Sequence, residues 1–96
     1  MFAIRQTDTF SSWLASLRDA RGKAAILRRL VRAQGGNLGD TKPVGGDVSE
    51  LRVDVGPGYR LYFTKRGSLL ILLLCVGNKD TQARDIAMAR KLSREC

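Results

Sequence analysis

The sequence predicts an α+β fold in which a helical hairpin and a C-terminal helix pack on a mainly antiparallel four-stranded sheet. Apolar and polar residues alternate in two stretches of the second half, and a run of eight apolar residues follows them. The segments on either side have the apolar spacing of amphipathic helices. A chain of 96 residues supports one core, so residues 1–96 are predicted to form one domain in the order β-α-α-β-β-β-α.

Three consecutive strands are predicted in the second half of the chain. Apolar and polar side chains alternate in residues 50–55 and again in Tyr59–Lys65, as in strands with one wet face. Gly56–Gly58, with the sequence Gly-Pro-Gly, reverses the chain between them. After a turn at Arg66–Ser68, Leu69–Val76 is apolar throughout, which is typical of a strand buried on both faces in the middle of a sheet. The polar sides of the first two strands carry Glu50, Arg52, Asp54, Arg60, Tyr62 and Thr64.

The first half of the chain predicts a short strand followed by two helices. Phe2–Gln6 alternates and is expected to join an edge of the sheet. A first helix, capped by Thr7 or Asp8, presents an apolar stripe that includes Trp13. We expect Trp13 to lie in the core, and stacking on a nucleic-acid base is the alternative. A second helix, from about Lys23 to Gln34, ends at a pair of glycines and lies antiparallel to the first.

Two further segments complete the predicted fold. Gly35–Asp47 contains five glycines and a proline, which predicts the only long loop, with Lys42 as its one cation. This loop lacks the pattern of a P-loop, so nucleotide hydrolysis is not expected. A turn at Gly77–Asp80 leads to a last helix that runs to about Arg94. The apolar stripe of that helix is ragged, so we expect it to pack at the margin of the sheet. The stripe consists of Ala83, Ile86, Ala87, Ala89 and Leu92.

The composition indicates a polyanionic partner. Seventeen Lys and Arg residues against nine Asp and Glu give a net charge of +8, and most of the cations are arginine, whose planar guanidinium suits phosphate. Solubility is the alternative explanation for this charge. In the second helix Arg21, Arg28 and Arg32 fall nearly in line, with Arg29 beside them and no acid interleaved. Phosphate contact and a solvated face are equally open interpretations of this arginine stripe.

Several classes of chemistry are excluded by residues that the chain lacks. There is no histidine, which argues against the usual zinc sites and against Ser-His or Cys-His nucleophiles. Cys75 and Cys96 have neither metal-site spacing nor an evident partner, so both are expected to be free thiols. The N-terminal segment MFAIRQTD lacks the apolar stretch of a signal peptide, and the apolar run is too short to span a bilayer. A cytoplasmic protein without a membrane partner is therefore expected.

The element order and two short motifs, GYR at Gly58–Arg60 and VGNKD at Val76–Asp80, resemble the RelE/ParE toxin superfamily. More closely, the stretches LGDTKPVGGDVSELRVDVGPGYRLYF and LLLCVGNKDTQARDI resemble the HigB-like addiction module killer proteins. The resemblance covers nearly the whole chain and is densest over Leu38–Ile86. It implies a RelE-like fold.

The same resemblance implies the toxin of a type II toxin-antitoxin pair, in which a ribosome-dependent endoribonuclease cuts messenger RNA without a metal or other cofactor. The family's cationic residues correspond here to Arg52, Arg60 and Lys79. One cation would stabilise the pentacoordinate phosphate, and another would orient the scissile bond or protonate the leaving 5′ oxygen. The implied partners are the ribosome, its message and a helix-turn-helix antitoxin, through which alone the toxin would contact operator DNA.

The general base is the open part of the predicted site. Asp85 stands where RelE-like enzymes place a tyrosine, and the histidines of some HigB proteins have no counterpart. Asp80, Asp85, Tyr59, Tyr62 or Lys42 could serve in this role. For the two aspartates the alternative is a carboxylate at a helix N-terminus, and for the two tyrosines packing in a strand is weighed against stacking on RNA.

Two further alternatives concern the function and the arginines. A ParE-like toxin that poisons gyrase by binding, and a plain basic RNA-binding domain, are the competing functions. The short turn predicts that Arg52 and Arg60 lie near each other on adjoining strands. If Arg60 is catalytic, its replacement by alanine should leave folding nearly unchanged; pairing with Glu50 or Asp54 is the structural alternative.

Overall fold

The computed structural model describes residues 2–96 and shows an α+β fold, as the sequence predicts. The strands are β1 (Ala3–Gln6), β2 (Thr41–Gly45), β3 (Val48–Val53), β4 (Tyr59–Arg66) and β5 (Leu70–Gly77). The helices are α1 (Asp8–Ser16), α2 (Ala20–Gln34) and α3 (Gln82–Glu95), the last preceded by a 3-10 turn at Lys79–Thr81.

The strands form one mixed sheet in the order β1-β5-β4-β3-β2. β1 occupies one edge and runs parallel to β5, whereas the other neighbouring strands are antiparallel. β5 is an interior strand, and Leu73–Val76 is buried continuously. The central strand is β4 and not β5, because the sheet has one strand more than the sequence predicts.

The additional strand is β2, which lies inside the segment Gly35–Asp47 that the sequence pattern predicts to be a loop. The prediction of four strands is therefore wrong, and the sheet has five. The segment does not read as a strand, since it contains a proline and glycines, and its pairing with β3 shifts register between Pro43 and Gly45. A proline is tolerated on this strand because β2 is at the edge of the sheet. Gly45 and Gly46, at φ of +111° and +60°, then turn the chain into β3.

Helices cover both faces of the sheet. α1 and α2 pack on one face, where the core contains Phe10, Ile26, Leu61 and Ile71. Trp13 is half-buried against this core, which confirms its predicted packing. α2 begins at Ala20, three residues earlier than predicted.

α3 packs on the opposite face of the sheet, so its predicted place at the margin is wrong. Its buried side is formed by Asp85, Ala89 and Ser93, one residue per turn, while Ala83 and Ala87 of the predicted stripe are exposed. The sheet residues beneath this helix include Val48, Tyr62, Leu74 and Cys75. None of the helices within residues 2–96 is long and apolar enough to cross a membrane.

Candidate functional site

An open cleft of about 310 Å³ lies where the β3–β4 turn meets the end of β5. We call it the cationic cleft, and it is lined by Arg52, Asp54, Gly56, Pro57, Gly58, Tyr59, Arg60 and Lys79. The β-hairpin supplies most of this lining, and Gly77, the last residue of β5, pairs with Arg60 two residues before Lys79. The fold thus gathers three of the four predicted catalytic residues, Arg52, Arg60 and Lys79, around one cleft.

Arg52 and Arg60 lie directly opposite each other on β3 and β4, which confirms the predicted register. Both guanidinium groups bind the same carboxylate oxygen: Arg52 Nε donates to Glu50 Oε1 at 2.9 Å, and Arg60 Nη1 donates to it at 2.8 Å. The hydrogen bond to Glu50 raises the pKa of Arg52. The pairing with Glu50 that the sequence left as an alternative is therefore present, and it involves a fully buried carboxylate instead of a surface pair.

The sequence offered Glu50 only as a surface pairing partner of Arg60, and it predicted neither the burial of Glu50 nor its contact with both arginines. Its side chain is 0% exposed, whereas those of Arg52 and Arg60 are 34% and 20% exposed. Its second oxygen, Oε2, accepts a hydrogen bond from Gln82 Nε2 of α3 at 3.1 Å. The sequence did contain one indication of this contact, since residues two apart on a strand, such as Glu50 and Arg52, lie on the same face. The alternation assigned that face to solvent, but α3 covers this part of it.

Asp85, the fourth predicted catalytic residue, does not line the cationic cleft. It lies in the first turn of α3, where its carboxylate accepts a hydrogen bond from the Thr81 hydroxyl. A side chain at Gly77 would overlap this carboxylate, so any larger residue there would displace the side chain of Asp85. Asp80 is exposed in the 3-10 turn, and the backbone N–H of Asp80 is capped by the side chain of Asn78. Both aspartates therefore occupy the helix-terminus positions that were the alternative to catalysis.

Neither tyrosine presents a free ring for stacking on RNA. Tyr62 is fully buried beneath α3, so its predicted position on an open polar face is wrong. Burial raises the pKa of Tyr62 to about 12. Tyr59 belongs to the opposite face, where its ring packs edge-on against Trp13 with 5.7 Å between centroids.

The hydroxyl of Tyr59 is also committed to a structural contact. It donates to Asp19 Oδ2 at 2.6 Å, and this bond raises the pKa of Tyr59 to about 12. Asp19 in turn caps α2 by accepting from the backbone N–H of Gly22 at 3.0 Å. Two tyrosines with pKa values near 12 are poor proton acceptors at neutral pH.

The predicted cationic contacts outside the cleft remain exposed. Lys42 lies on the edge strand β2 opposite Glu50 in register, and it does not line the cleft. The arginine stripe, Arg21, Arg28 and Arg32, is exposed along α2. Arg28 and Arg32 border one shallow groove and Arg21 borders another, and Asp54 borders both grooves as well as the cleft. The fold therefore brings Asp54 next to a stripe that has no interleaved acid in sequence, and Asp19 also borders the groove of Arg21.

Arg29, which the sequence places beside the stripe, has a structural role. Its Nη1 donates to the backbone oxygen of Arg52 at 2.6 Å, and its Nη2 donates to that of Leu38 at 3.1 Å. These bonds tie α2 to β3 and to the segment before β2. The four arginines of α2 thus divide into Arg29, which binds the sheet, and the three exposed arginines of the stripe.

Cysteine and acidic side chains form no candidate metal centre in the part of the chain that the structure describes. Cys75 and Cys96 are free thiols, as predicted. Cys75 is buried under α3, and burial raises the pKa of its thiol to about 12.

The fold and the cleft together define a small basic α+β protein with three cations around an open concave site. No known protein-family model matches the sequence. A Haemophilus influenzae protein, described as an uncharacterized protein, is 47% identical over 92 residues, which cover 96% of this chain and 93% of the relative. The chain belongs to the same family as that protein.

Proposed function

We propose that this protein is a HigB-like toxin of the RelE/ParE superfamily, and that it acts in the cytoplasm as a ribosome-dependent mRNA endoribonuclease. The observation that carries the proposal is the convergence of Arg52, Arg60 and Lys79 on one open cleft. Cations held around a concave surface suit a phosphodiester, whose negative charge increases in the transition state. Under this proposal the fold is RelE-like, and the edge strand β2 is an addition to the four strands expected of it.

The proposed reaction is transfer of the phosphoryl group to the neighbouring 2′ oxygen. The ribose 2′-hydroxyl attacks the adjacent phosphate and loses its proton, the bond from phosphorus to the 5′ oxygen breaks, and that oxygen gains a proton. Arg52 and Arg60 have N–H groups beyond those that bind Glu50, and these would stabilise the pentacoordinate phosphate. Lys79 would protonate the leaving 5′ oxygen. The products are a 2′,3′-cyclic phosphate and a free 5′-hydroxyl.

Asp54 is the best placed proton acceptor for this reaction. It is an exposed carboxylate that lines the cleft beside both arginines, whereas Asp85 lies outside the cleft. We therefore assign Asp54 the role of accepting the 2′-hydroxyl proton. Single-turnover cleavage by Asp54→Asn should fall by about 10²- to 10⁴-fold, and a rate within about threefold of wild type would exclude this role.

Dependence on the ribosome is supported by the lack of a stacking surface in the cleft. Its one aromatic lining residue, Tyr59, is buried and bonded to Asp19. An enzyme that cuts single-stranded RNA unaided usually holds bases on aromatic faces. A ribosome would instead present the message in a fixed position, so that this protein need supply only groups for the phosphate.

A helix-turn-helix antitoxin with an acidic segment would be the natural inhibitor. The cleft and the arginine stripe of α2 are exposed cationic surfaces that such a segment can cover. Operator DNA would be contacted through the antitoxin. Expression of the protein alone should arrest growth, and co-expression of a small helix-turn-helix protein encoded beside it should relieve the arrest. Growth arrest that this partner does not relieve, together with a failure of the two proteins to copurify, would contradict the pairing.

The second candidate is a toxin of the ParE kind that poisons gyrase by binding. It is favoured by the cleft's lack of a histidine or of an aromatic residue with a free hydroxyl. A basic RNA-binding domain without toxicity is the third candidate. Gyrase poisoning would produce DNA breaks and a damage response with intact messengers, whereas the proposed function produces cuts within translated codons.

A further inference from the structure

Glu50 connects three elements of the fold at a point that solvent does not reach. Its Oε1 atom accepts from Arg52 of β3 and Arg60 of β4, and its Oε2 atom accepts from Gln82 of α3. The side chain is 0% exposed, while both arginines extend from it into the cationic cleft. Both carboxylate oxygens of Glu50 therefore accept hydrogen bonds from the protein itself. Because the side chain is buried, Glu50 does not contact a substrate directly.

We propose that Glu50 is a positioning residue, which fixes Arg52 and Arg60 so that their remaining N–H groups converge on one phosphate. The inference rests on the proposed endoribonuclease function. Two like charges directly opposite each other on adjacent strands repel, and they would turn apart without an anion between them. A buried carboxylate is screened less than an exposed one, so it holds the pair at any ordinary salt concentration.

Packing alone does not account for a charge at this position. The neighbouring sheet residues under α3 include Val48 and Leu74, so an apolar side chain would extend the same cluster. Burial of a carboxylate is unfavourable unless hydrogen bonds compensate it, and here three donors do so. Two of those donors belong to the arginines of the cleft.

Substitution of Glu50 distinguishes positioning of the arginines from a simple effect of net charge, because the two effects change binding and cleavage in opposite directions. Replacing Glu50 with glutamine removes one negative charge beneath the cleft and so raises the local net charge by one, which by itself would strengthen binding of an anion. Loss of positioning would instead slow the chemical step. The proposal therefore predicts that Glu50→Gln binds ribosome-bound message as tightly as wild type or more tightly, and cleaves it about 10- to 100-fold more slowly in a single turnover.

The matched control is Thr64→Val, which removes a different buried hydrogen bond from the same sheet. Thr64 is buried on β4 outside the cleft, and its hydroxyl donates to the backbone oxygen of Asp47 at 2.8 Å. This variant should lose stability but cleave within about threefold of wild type when compared at equal folded fraction. If cleavage by Glu50→Gln at equal folded fraction is also within threefold, Glu50 is structural and the proposal is wrong.

A second readout does not depend on cleavage. In ¹⁵N spectra of the guanidinium groups, Arg52 and Arg60 of the wild type should give distinct signals that shift together when inorganic phosphate is added. In Glu50→Gln these signals should merge with those of freely rotating arginines, while the signal of Arg28 stays unchanged. Unchanged Arg52 and Arg60 signals would overturn the proposal. If wild type does not cleave, the endoribonuclease function fails, and these spectra still decide whether Glu50 orients the two arginines.

Discussion

Arg52 and Arg60 face each other across adjacent strands and share one oxygen of Glu50, at 2.9 and 2.8 Å. Because Glu50 is fully buried, each arginine contributes both to the cleft and to the compensation of a charge inside the protein. The expectation that Arg60→Ala leaves folding nearly unchanged therefore needs revision. Removing one donor to a buried carboxylate costs about 1–3 kcal/mol of stability.

The first prediction separates these two contributions of Arg60. Arg60→Ala should reduce single-turnover cleavage of ribosome-bound message by about 10²- to 10³-fold, because one preorganised donor to the transition state is removed. Its unfolding midpoint should fall as well. Arg18→Ala, which removes an exposed arginine outside the cleft, should change neither quantity. Cleavage within about threefold of wild type, measured below the melting transition, would remove Arg60 from the catalytic set.

The second prediction tests the position of Tyr62. Its hydroxyl is buried and has no hydrogen-bond partner within residues 2–96. Tyr62→Phe should therefore keep cleavage and ribosome binding within about twofold of wild type and should leave stability unchanged or higher by up to about 1 kcal/mol. Urea unfolding and a cleavage assay on the same preparation measure both. A large loss of cleavage with unchanged stability would restore a functional role to the hydroxyl.

The third prediction concerns stability in alkali. In the folded protein the pKa values of Tyr59, Tyr62 and Cys75 are raised to about 12, from ordinary values of 10.0 for tyrosine and 9.0 for cysteine. Since the unfolded chain loses these protons first, their contribution to stability is complete below pH 9 and is lost as the pH rises towards 12.

Urea midpoints measured from pH 8 to pH 11 should accordingly fall, with the steepest decline above pH 9. The decline should be shallower in Tyr62→Phe, which lacks one of the three groups. A midpoint that stays constant up to pH 11 would contradict the buried, protonated state of these side chains.

The fourth prediction treats the arginine stripe as a docking surface for ribosomal RNA. Replacing Arg28 and Arg32 with glutamine should weaken ribosome binding and flatten the dependence of log affinity on log salt, by somewhat under one unit for each phosphate that the variant no longer binds. Cleavage by the bound complex should stay near normal, because these residues lie outside the cleft.

The control for this experiment removes the same charge elsewhere. Arg5 and Arg18 are exposed and lie outside the stripe and the cleft, so Arg5→Gln with Arg18→Gln should keep most of the salt slope. Equal slopes for the two double variants and wild type would assign the stripe of α2 to ordinary solvation.

The sequence predicts the cleft better than it predicts what lies beneath it. Strict alternation and a short Gly-Pro-Gly turn determine the hairpin register, so the neighbourhood of Arg52 and Arg60 was predictable. The burial of Glu50 was not, because alternation separates two faces of a strand but does not say which one a helix covers. The covered face could be predicted only from the buried side of α3. That side includes the polar residues Asp85 and Ser93, so apolar spacing does not reveal it.

The strand β2 escaped prediction for a related reason. Pairing with β3 supplies its structure, while Pro43 and the neighbouring glycines give the segment the local composition of a loop. The sheet therefore extends one strand further than the local pattern indicates. Lys42 consequently lies on an edge strand, opposite Glu50 in register, and not in the predicted loop.

The most direct test of the central claim is the mapping of messenger 5′ ends after induction in cells that lack the proposed antitoxin, with wild type and Arg60→Ala compared at equal protein level. We predict new 5′-hydroxyl ends within translated codons for wild type, and about 10²- to 10³-fold fewer for Arg60→Ala. These ends should disappear when translation initiation is blocked. Intact messengers accompanied by DNA breaks in wild-type cells would contradict the account and favour gyrase poisoning.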